Sequence, residues 1–385
     1  MKILLGGIPL GCDNIGDEAI LACVVRLMRE IAPSAELAVA TNDTATATLL
    51  GVKVVPSYGF AGVSTKGFNA IVKAFDVYVW CGATGLSDYP FVALDLLRLA
   101  QKAGVRTFVW GVGMDNELNP VFFKARGRRR RLLACVGLVG LYEGILRRRL
   151  TRQVCATLPK CAGVWLRDPE SAEVLARFGY GRAATTSDTA IYQSRSTVRT
   201  TSRASTLGFC LSAQRAVTDT TGVKRFLARL SSAGLSVVGI PMNPKTDSVL
   251  LRTLGVTDIF GGTTPDAVAR KAASCDLVLS NRLHLLILAA NVGTPILGLA
   301  RGSKLVNWLA NFGETTEGSV FDCDWDALAA KVVRLLDDPP RLRAHFAVVR
   351  QAAYARLDAR FEEAKRTFAA RLLASGMDGH CGQSV

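Results

Sequence analysis

"DLVLSNRLHLLILAANVGTPILGLA", residues 276–300, holds a complete folding unit in one stretch. "DLVLSN" is a short apolar run ending in polar residues. "RLHLLILAANVG" has the length and composition of a buried helix stopped at Gly293, and "TPILGLA" returns as a second apolar run. Strand, helix and strand in that order make a βαβ unit, whose two strands lie parallel in one sheet. Arg282 and His284 stand where the strand passes into the helix. The chain has only three histidines, His284, His345 and His380. Alone, an R-x-H at this place reads as a helix N-terminus whose polar residues face water, so its meaning depends on the rest of the chain.

The same alternation runs through the whole sequence. In the first half, "KILLGG", "AELAVAT", "VKVVPS", "AFDVYVWCG", "RTFVWGVG" and "AGVWLRD" read as strands. "GDEAILACVVRLMREIA", "YPFVALDLLRLAQKAG" and "PESAEVLARFG" read as helices. The stretch 194–206 is hydroxyl-rich and basic, as a linker is. A second series follows, from "STLGFCLS" to "GSKLVNWLANFG". The expected fold is α/β, with two Rossmann-like domains facing a cleft and a long C-terminal helix. Residues 1–195 form an N-terminal Rossmann-like domain and 205–345 a C-terminal one. The long helix covers 346–375, and 376–385 form a disordered tail. Ligands are expected at the carboxyl ends of the strands, between the halves.

Bulk properties agree with this. A chain of 385 residues exceeds what one hydrophobic core supports, and 49% hydrophobic with 21% charged residues describes an ordinary folded protein. No run reaches the roughly 18 uncharged apolar residues of a spanning helix. "MKILLGGIPL" reads as a buried first strand and not as a signal peptide. Ten scattered cysteines without a CxxC pair or metal spacing suggest reduced thiols in a cytoplasmic protein, with no metal and no cofactor. The net charge is +15, of which +9 falls between Lys124 and Arg152, from one lysine, nine arginines and one glutamate.

Four strand-to-helix turns carry chemistry. In "GGIPLGCDNIGDEAIL", Asn14, Asp17 and Glu18 open a helix. The carboxylates either stabilise its dipole or accept hydrogen bonds from sugar hydroxyls. In "VYVWCGATGLSDYP", Thr84 and Asp88 follow a glycine turn. Asp88 either caps the next helix or serves a polyol site as acid or base. In "VWLRDPES", Arg167 ends an apolar strand, where a guanidinium is costly unless it faces a cleft or pairs with Asp168. The fourth turn is that of Arg282 and His284. Arginines suit carboxylate and phosphate, and a histidine offers a proton near neutral pH. Lys304, in "ARGSKLVNW", stands at a further helix N-terminus. Arg167, Arg282, His284 and Lys304 could together hold a small, multiply anionic ligand.

These motifs, "NIGDEAIL", "RDPES", "SDTAI", "SNRLHLLILAANVGTPILGL" and "SKLVNWLANFG", resemble the polysaccharide pyruvyl transferase family in content and order over residues 3 to 313. The resemblance implies a glycosyltransferase-B-like fold. It implies transfer of an enolpyruvyl-derived group from phosphoenolpyruvate, as co-substrate, to two sugar hydroxyls, giving a pyruvate ketal and phosphate. Arg167, Arg282 and His284 match the family's basic residues expected to bind phosphoenolpyruvate. Asp17 and the Asp88 loop match motifs on the opposite side of the cleft. On this reading His284 contacts the phosphate or donates a proton, and Asp17 or Asp88 positions or deprotonates the acceptor. Gly82-Ala83-Thr84 stands where many members carry three glycines, and Trp110 to Asp115 where the family turn is often GQGIGP.

The basic segment encloses 15 largely apolar residues, 132–146. It is too short and too interrupted to span a bilayer. Its composition suits the surface of an anionic membrane, which fits a lipid-linked glycan acceptor and a cytoplasmic protein at the inner face of the membrane. The alternative is a core-facing helix with solvated arginine ends. Nucleic acid is not expected, since no aromatics are interleaved with the arginines. A homo-oligomer is compatible with this reading. The competing functions are a nucleotide-sugar glycosyltransferase on the same fold and a non-enzymatic sugar or anionic-lipid binding protein.

Overall fold

A computed structural model describes residues 1–193, 195, 205–214 and 217–374 of the chain. Most of the linker stretch 194–206 and all of the tail 376–385 lie outside the described residues.

The first sheet has seven strands: β1 (Lys2–Gly6), β2 (Glu36–Ala40), β3 (Lys53–Val55), β4 (Val77–Cys81), β5 (Arg106–Val112), β6 (Gly163–Leu166) and β7 (Ala184–Thr185). All pairs are parallel, in the order β3-β2-β1-β4-β5-β6-β7. The second sheet has five: β8 (Thr206–Cys210), β9 (Ser236–Gly239), β10 (Asp258–Ile259), β11 (Leu277–Ser280) and β12 (Ile296–Gly298). These are also parallel, in the order β10-β9-β8-β11-β12. Strand order reverses between β1 and β4 and between β8 and β11, the Rossmann arrangement that leaves a crevice at the carboxyl ends of those strands. Parallel strands covered on both faces must be apolar throughout. Every residue of β4 and β11 is accordingly buried. β7 and β10, two residues each, have no expectation in the sequence, because so short a pairing leaves no periodic trace.

The chain groups into two compact units that do not follow chain order. One holds Met1–Cys12, Val24–Asp188 and the chain from Ala359. The other holds Asp13–Cys23 with Thr189–Asp358. The start of the helix Ile15–Ile31 therefore belongs with the second sheet, although the sequence assigns residues 1–195 to the first. Named contacts hold it there. Ile15 N donates to Met242 O at 2.9 Å, Lys245 pairs with Asp13 at 2.7 Å, and the Cys23 thiol donates to Gln193.

The C-terminal helix runs over Pro339–Leu373, beginning earlier than the expected 346, and serves each unit in turn. In the second unit, Arg343 pairs with Asp276 at 2.8 Å and Arg350 caps the carbonyls of Ala290 and Asn291, which end the helix Leu283–Asn291. In the first, Phe368 is fully buried and its ring lies 5.0 Å from Trp110, 5.2 Å from Trp165 and 5.3 Å from Phe108. Trp165 Nε1 donates to Thr367 Oγ1 at 3.1 Å, so the buried indole keeps a polar partner.

The basic segment forms the helices Gly127–Cys135 and Val139–Thr157. The first buries none of its residues, and the second buries only Leu150, Val154 and Thr157. The alternative of a core-facing apolar helix over 132–146 is thereby corrected. The buried positions lie beyond that stretch, and the leucines within it are exposed or half-buried. No helix among the described residues is long and apolar enough to cross a membrane.

Replacing Phe368 with alanine leaves a cavity among three aromatic rings, which rigid sheet residues cannot close. The expected loss is about 3–5 kcal/mol, measured by urea denaturation, with urea m-value unchanged.

Candidate active site

In the second unit the site is assembled at the mouths of β8 and β11. Arg282 leaves β11 and opens the helix Leu283–Asn291. Its guanidinium forms a fork with Asp247, Nε to Oδ2 at 3.0 Å and Nη2 to Oδ1 at 2.6 Å. Asp247 has no solvent exposure and sits in the first turn of the helix Pro244–Leu254. The same carboxylate accepts from Ala213 N at 3.0 Å and Asn243 N at 2.9 Å. Two of the five guanidinium N–H donors are used in the fork, leaving Arg282 able to bind a further anion. Asn281, beside it, accepts from Ser212 N at 2.8 Å while its amide Nδ2 is buried without a hydrogen-bond partner among the described residues.

His284, two residues on, packs directly against the start of the helix Ile15–Ile31. A Cβ on residue 16 would lie 2.3 Å from His284 Nδ1, so only glycine lets the imidazole approach. Asn14 opens this helix. Its Oδ1 accepts from Gly16 N at 3.2 Å, and its Nδ2 donates to Asp17 Oδ2 at 2.7 Å. Asp17 is buried, and Glu18 beside it is also buried. Burial raises the Asp17 pKa above the ordinary carboxyl value, and it prevails over the opposing pull of His284, Asn14, Lys304 and Arg282. Lys304 lies in the first turn of the helix Ser303–Ala310. One carboxyl, one imidazole and two cations thus share an electrostatic neighbourhood within one unit. The sequence places Asp17 on the side opposite His284. The structure corrects this and groups the two, because Gly16 makes the close approach possible.

In the first unit the turns after β4, β5 and β6 are knitted together. Gly113 N donates to Ala83 O at 2.7 Å, Met114 N to Ser171 Oγ at 2.9 Å, and Asp115 N to Ser87 Oγ at 3.1 Å. Ala83 has φ 58°, the left-handed region, where the glycine common in the family meets no penalty. Thr84 is buried and Asp88 half-buried, at the end of the short helix Gly85–Asp88. The helix Pro90–Lys102 starts at Tyr89 without a side-chain cap, so Asp88 is not its cap. Arg167 is buried and donates from Nε to Asp168 Oδ2 at 2.9 Å, with Asp188 Oδ2 at 4.0 Å. A Cβ on residue 113 would lie 2.6 Å from its Cζ, so Gly113 is the space the guanidinium occupies. Burial works to lower the Arg167 pKa, yet Asp168, Asp188 and Asp115 hold it above the ordinary value. Its charge is largely answered locally, while Nη1 is buried without a hydrogen-bond partner among the described residues.

Asp247, Asn281 and Asp188 are the site residues that sequence reasoning misses. Asp188 lies within the quoted "SDTAI", and that family-like motif is the signal that could have found it. Asp247 offers none, being one acid in a polar first turn.

A family model for polysaccharide pyruvyl transferase matches residues 14–303. No curated protein matches the chain. Among solved structures, a putative UDP-N-acetylglucosamine 2-epimerase from Listeria monocytogenes is 11% identical, covering 100% of this chain and 99% of that one, with TM-score 0.62. Alr3699/HepE of Anabaena, in complex with UDP and glucose, is 12% identical over 98% and 99%, with TM-score 0.58. UDP-GlcNAc 2-epimerase from Neisseria meningitidis, bound to UDP-GlcNAc, is 11% identical over 97% and 100%, with TM-score 0.55. At these identities the likeness shows the fold alone, a glycosyltransferase-B-like pair of Rossmann-type sheets.

Two outcomes follow for stability. Gly16→Ala in an ordinary helix gains up to about 1 kcal/mol, but here it displaces His284 and is expected to destabilise. In a His284→Ala background the same change is expected to stabilise, and a thermal-denaturation double-mutant cycle reads the sign reversal. For Asp17 the folded pKa is raised, so the folded state binds the proton more tightly than the unfolded one. Wild-type stability therefore falls as pH rises from the ordinary carboxyl value through the folded one. Asp17→Asn is expected to be more stable than wild type at neutral pH. Urea titrations should show that advantage shrinking as pH falls from neutrality and gone below about pH 4.

Proposed function

Because the chain belongs to the polysaccharide pyruvyl transferase family, we propose that it transfers the enolpyruvyl-derived group of phosphoenolpyruvate to two hydroxyls of a sugar. The observation that carries this reading is the grouping of Asp17 with His284, Arg282 and Lys304 in one unit. Phosphoenolpyruvate brings a carboxylate and a phosphate, and the reaction needs anion contacts beside a proton donor and a proton acceptor.

A proton joins the vinyl carbon and makes it a methyl group, leaving the adjacent carbon cationic. A sugar hydroxyl attacks that carbon and releases its own proton. The bond to phosphate then breaks, a second hydroxyl closes the ketal, and its proton leaves with inorganic phosphate. In this scheme His284 gives the first proton. Asp17, made more basic by burial, takes the proton of the attacking hydroxyl. The uncommitted donors of Arg282 and the Lys304 ammonium hold the two anionic groups. Arg167, through Nη1, is proposed as a further anion contact, and Asn14, Glu18, Thr84 and Asp88 as contacts to the acceptor. A lipid-linked glycan is the proposed acceptor.

The solved relatives of this fold include proteins holding UDP or UDP-GlcNAc, which makes a nucleotide-sugar glycosyltransferase the competing reading. Incubation with phosphoenolpyruvate or with UDP-sugars, against a panel of glycan acceptors, separates the two. Inorganic phosphate released from phosphoenolpyruvate is the expected result. His284→Gln is expected to lower kcat about 10²–10⁴-fold while leaving the fold intact. Release of UDP from a UDP-sugar, with phosphoenolpyruvate untouched, would sink the proposal.

A further inference from the structure

The helices Gly127–Cys135 and Val139–Thr157 present side chains that a folded core would normally hide. Leu132 is 71% exposed, Val136 63%, Leu141 58% and Ile145 52%. At 3.6 residues per turn, Leu141, Ile145, Arg148 and Arg152 fall on one face of the second helix, with Leu138 one turn ahead. Leu150, Val154 and Thr157, the residues it buries, fall on the opposite face. The apolar stripe thus points away from the surface on which the helix rests. Arginines flank it on both sides in sequence, at 128–131 and 147–149, all of them exposed. Some of these side chains are already oriented. Arg129 donates to the Tyr142 hydroxyl at 2.8 Å, and Arg149 lies 4.7 Å over the Phe91 ring.

We propose that this helical pair docks on an anionic lipid surface, with the Leu138, Leu141 and Ile145 stripe entering the headgroup boundary and the flanking arginines meeting lipid phosphates. Charge complementarity selects this occupant. A second copy of the chain would set the same nine-plus segment against itself across a twofold interface, where like charges repel. A nucleic acid would answer the arginines through its phosphates but would leave the leucines in water. A bilayer surface satisfies both, since acyl chains take the apolar stripe and anionic headgroups the arginines. Each arginine near such a surface contributes about fivefold in partitioning. The proposal stands independently of the reaction assigned above.

The test is vesicle flotation of the full chain with phosphatidylcholine alone and with phosphatidylcholine containing about a third phosphatidylglycerol, at low and high salt. Binding to the anionic vesicles, weakened by salt and absent on phosphatidylcholine, is expected. Replacing Arg128 to Arg131 with glutamate should abolish it. Leu138→Asp, Leu141→Asp and Ile145→Asp together should reduce it at least tenfold. Leu138→Ser, Leu141→Ser and Ile145→Ser, which keep the charge, should reduce it likewise, separating insertion from electrostatic adsorption. Because these residues are exposed, thermal melting should match wild type in every variant. Three results would overturn the proposal: no vesicle binding by wild type, undiminished binding by the serine variant, or a dimer that the serine variant dissociates while vesicles go unbound.

Discussion

The mouth of the second sheet depends on one carboxylate that sees no solvent. Asp247 receives both arms of the Arg282 fork and the backbone amides of Ala213 and Asn243. Those four bonds tie together the turn after β8, the start of the helix Pro244–Leu254 and the turn after β11. Removing one partner of such a buried pair typically costs 3–5 kcal/mol, because the other is left charged and desolvated. The fork also fixes the plane of the Arg282 guanidinium, so its remaining donors have one direction. A ligand there meets a preformed anion contact and pays little to order it.

Against that rigid frame the Asp17 carboxyl is held at a cost. Burial raises its pKa, and the imidazole and cations nearby only partly offset the penalty. A group kept in an unfavourable protonation environment by its surroundings is what proton-transfer chemistry requires. The arrangement in the first unit is different. Arg167 is enclosed by Asp168, Asp188 and Asp115. Its carboxylates outnumber it, so it acts locally as the centre of an ion-pair network more than as a bare cation.

Much of this is readable from the residues. The unit β11, Arg282, His284, helix, β12 is where "DLVLSNRLHLLILAANVGTPILGLA" puts it, because apolar runs of strand and helix length separated by a polar turn admit few other foldings. Asp247 is not readable, because its partner lies 35 positions away and its own helix begins with a polar turn. The grouping of Asp17 with His284 is hidden for another reason. Residues 14–18 follow β1 directly, so chain order assigns them to the first unit, and only Gly16, a glycine inside a helix, hints at a close neighbour. The 15 residues 132–146 show the limit of composition. An apolar run between arginines reads equally as core or as interface, and only the structure of the helix Val139–Thr157, which buries Leu150, Val154 and Thr157 and none of the run, rules out the core.

We propose that phosphoenolpyruvate binds where Arg282, His284 and Lys304 come together. Donor binding, which needs no acceptor, tests it most directly: calorimetric titration of the protein with phosphoenolpyruvate and, separately, with UDP. Saturable one-to-one binding of phosphoenolpyruvate is expected, weakening at least tenfold in Lys304→Met and His284→Ala, with UDP failing to compete. Tight UDP binding with no heat from phosphoenolpyruvate, or phosphoenolpyruvate binding unchanged in both variants, would contradict it.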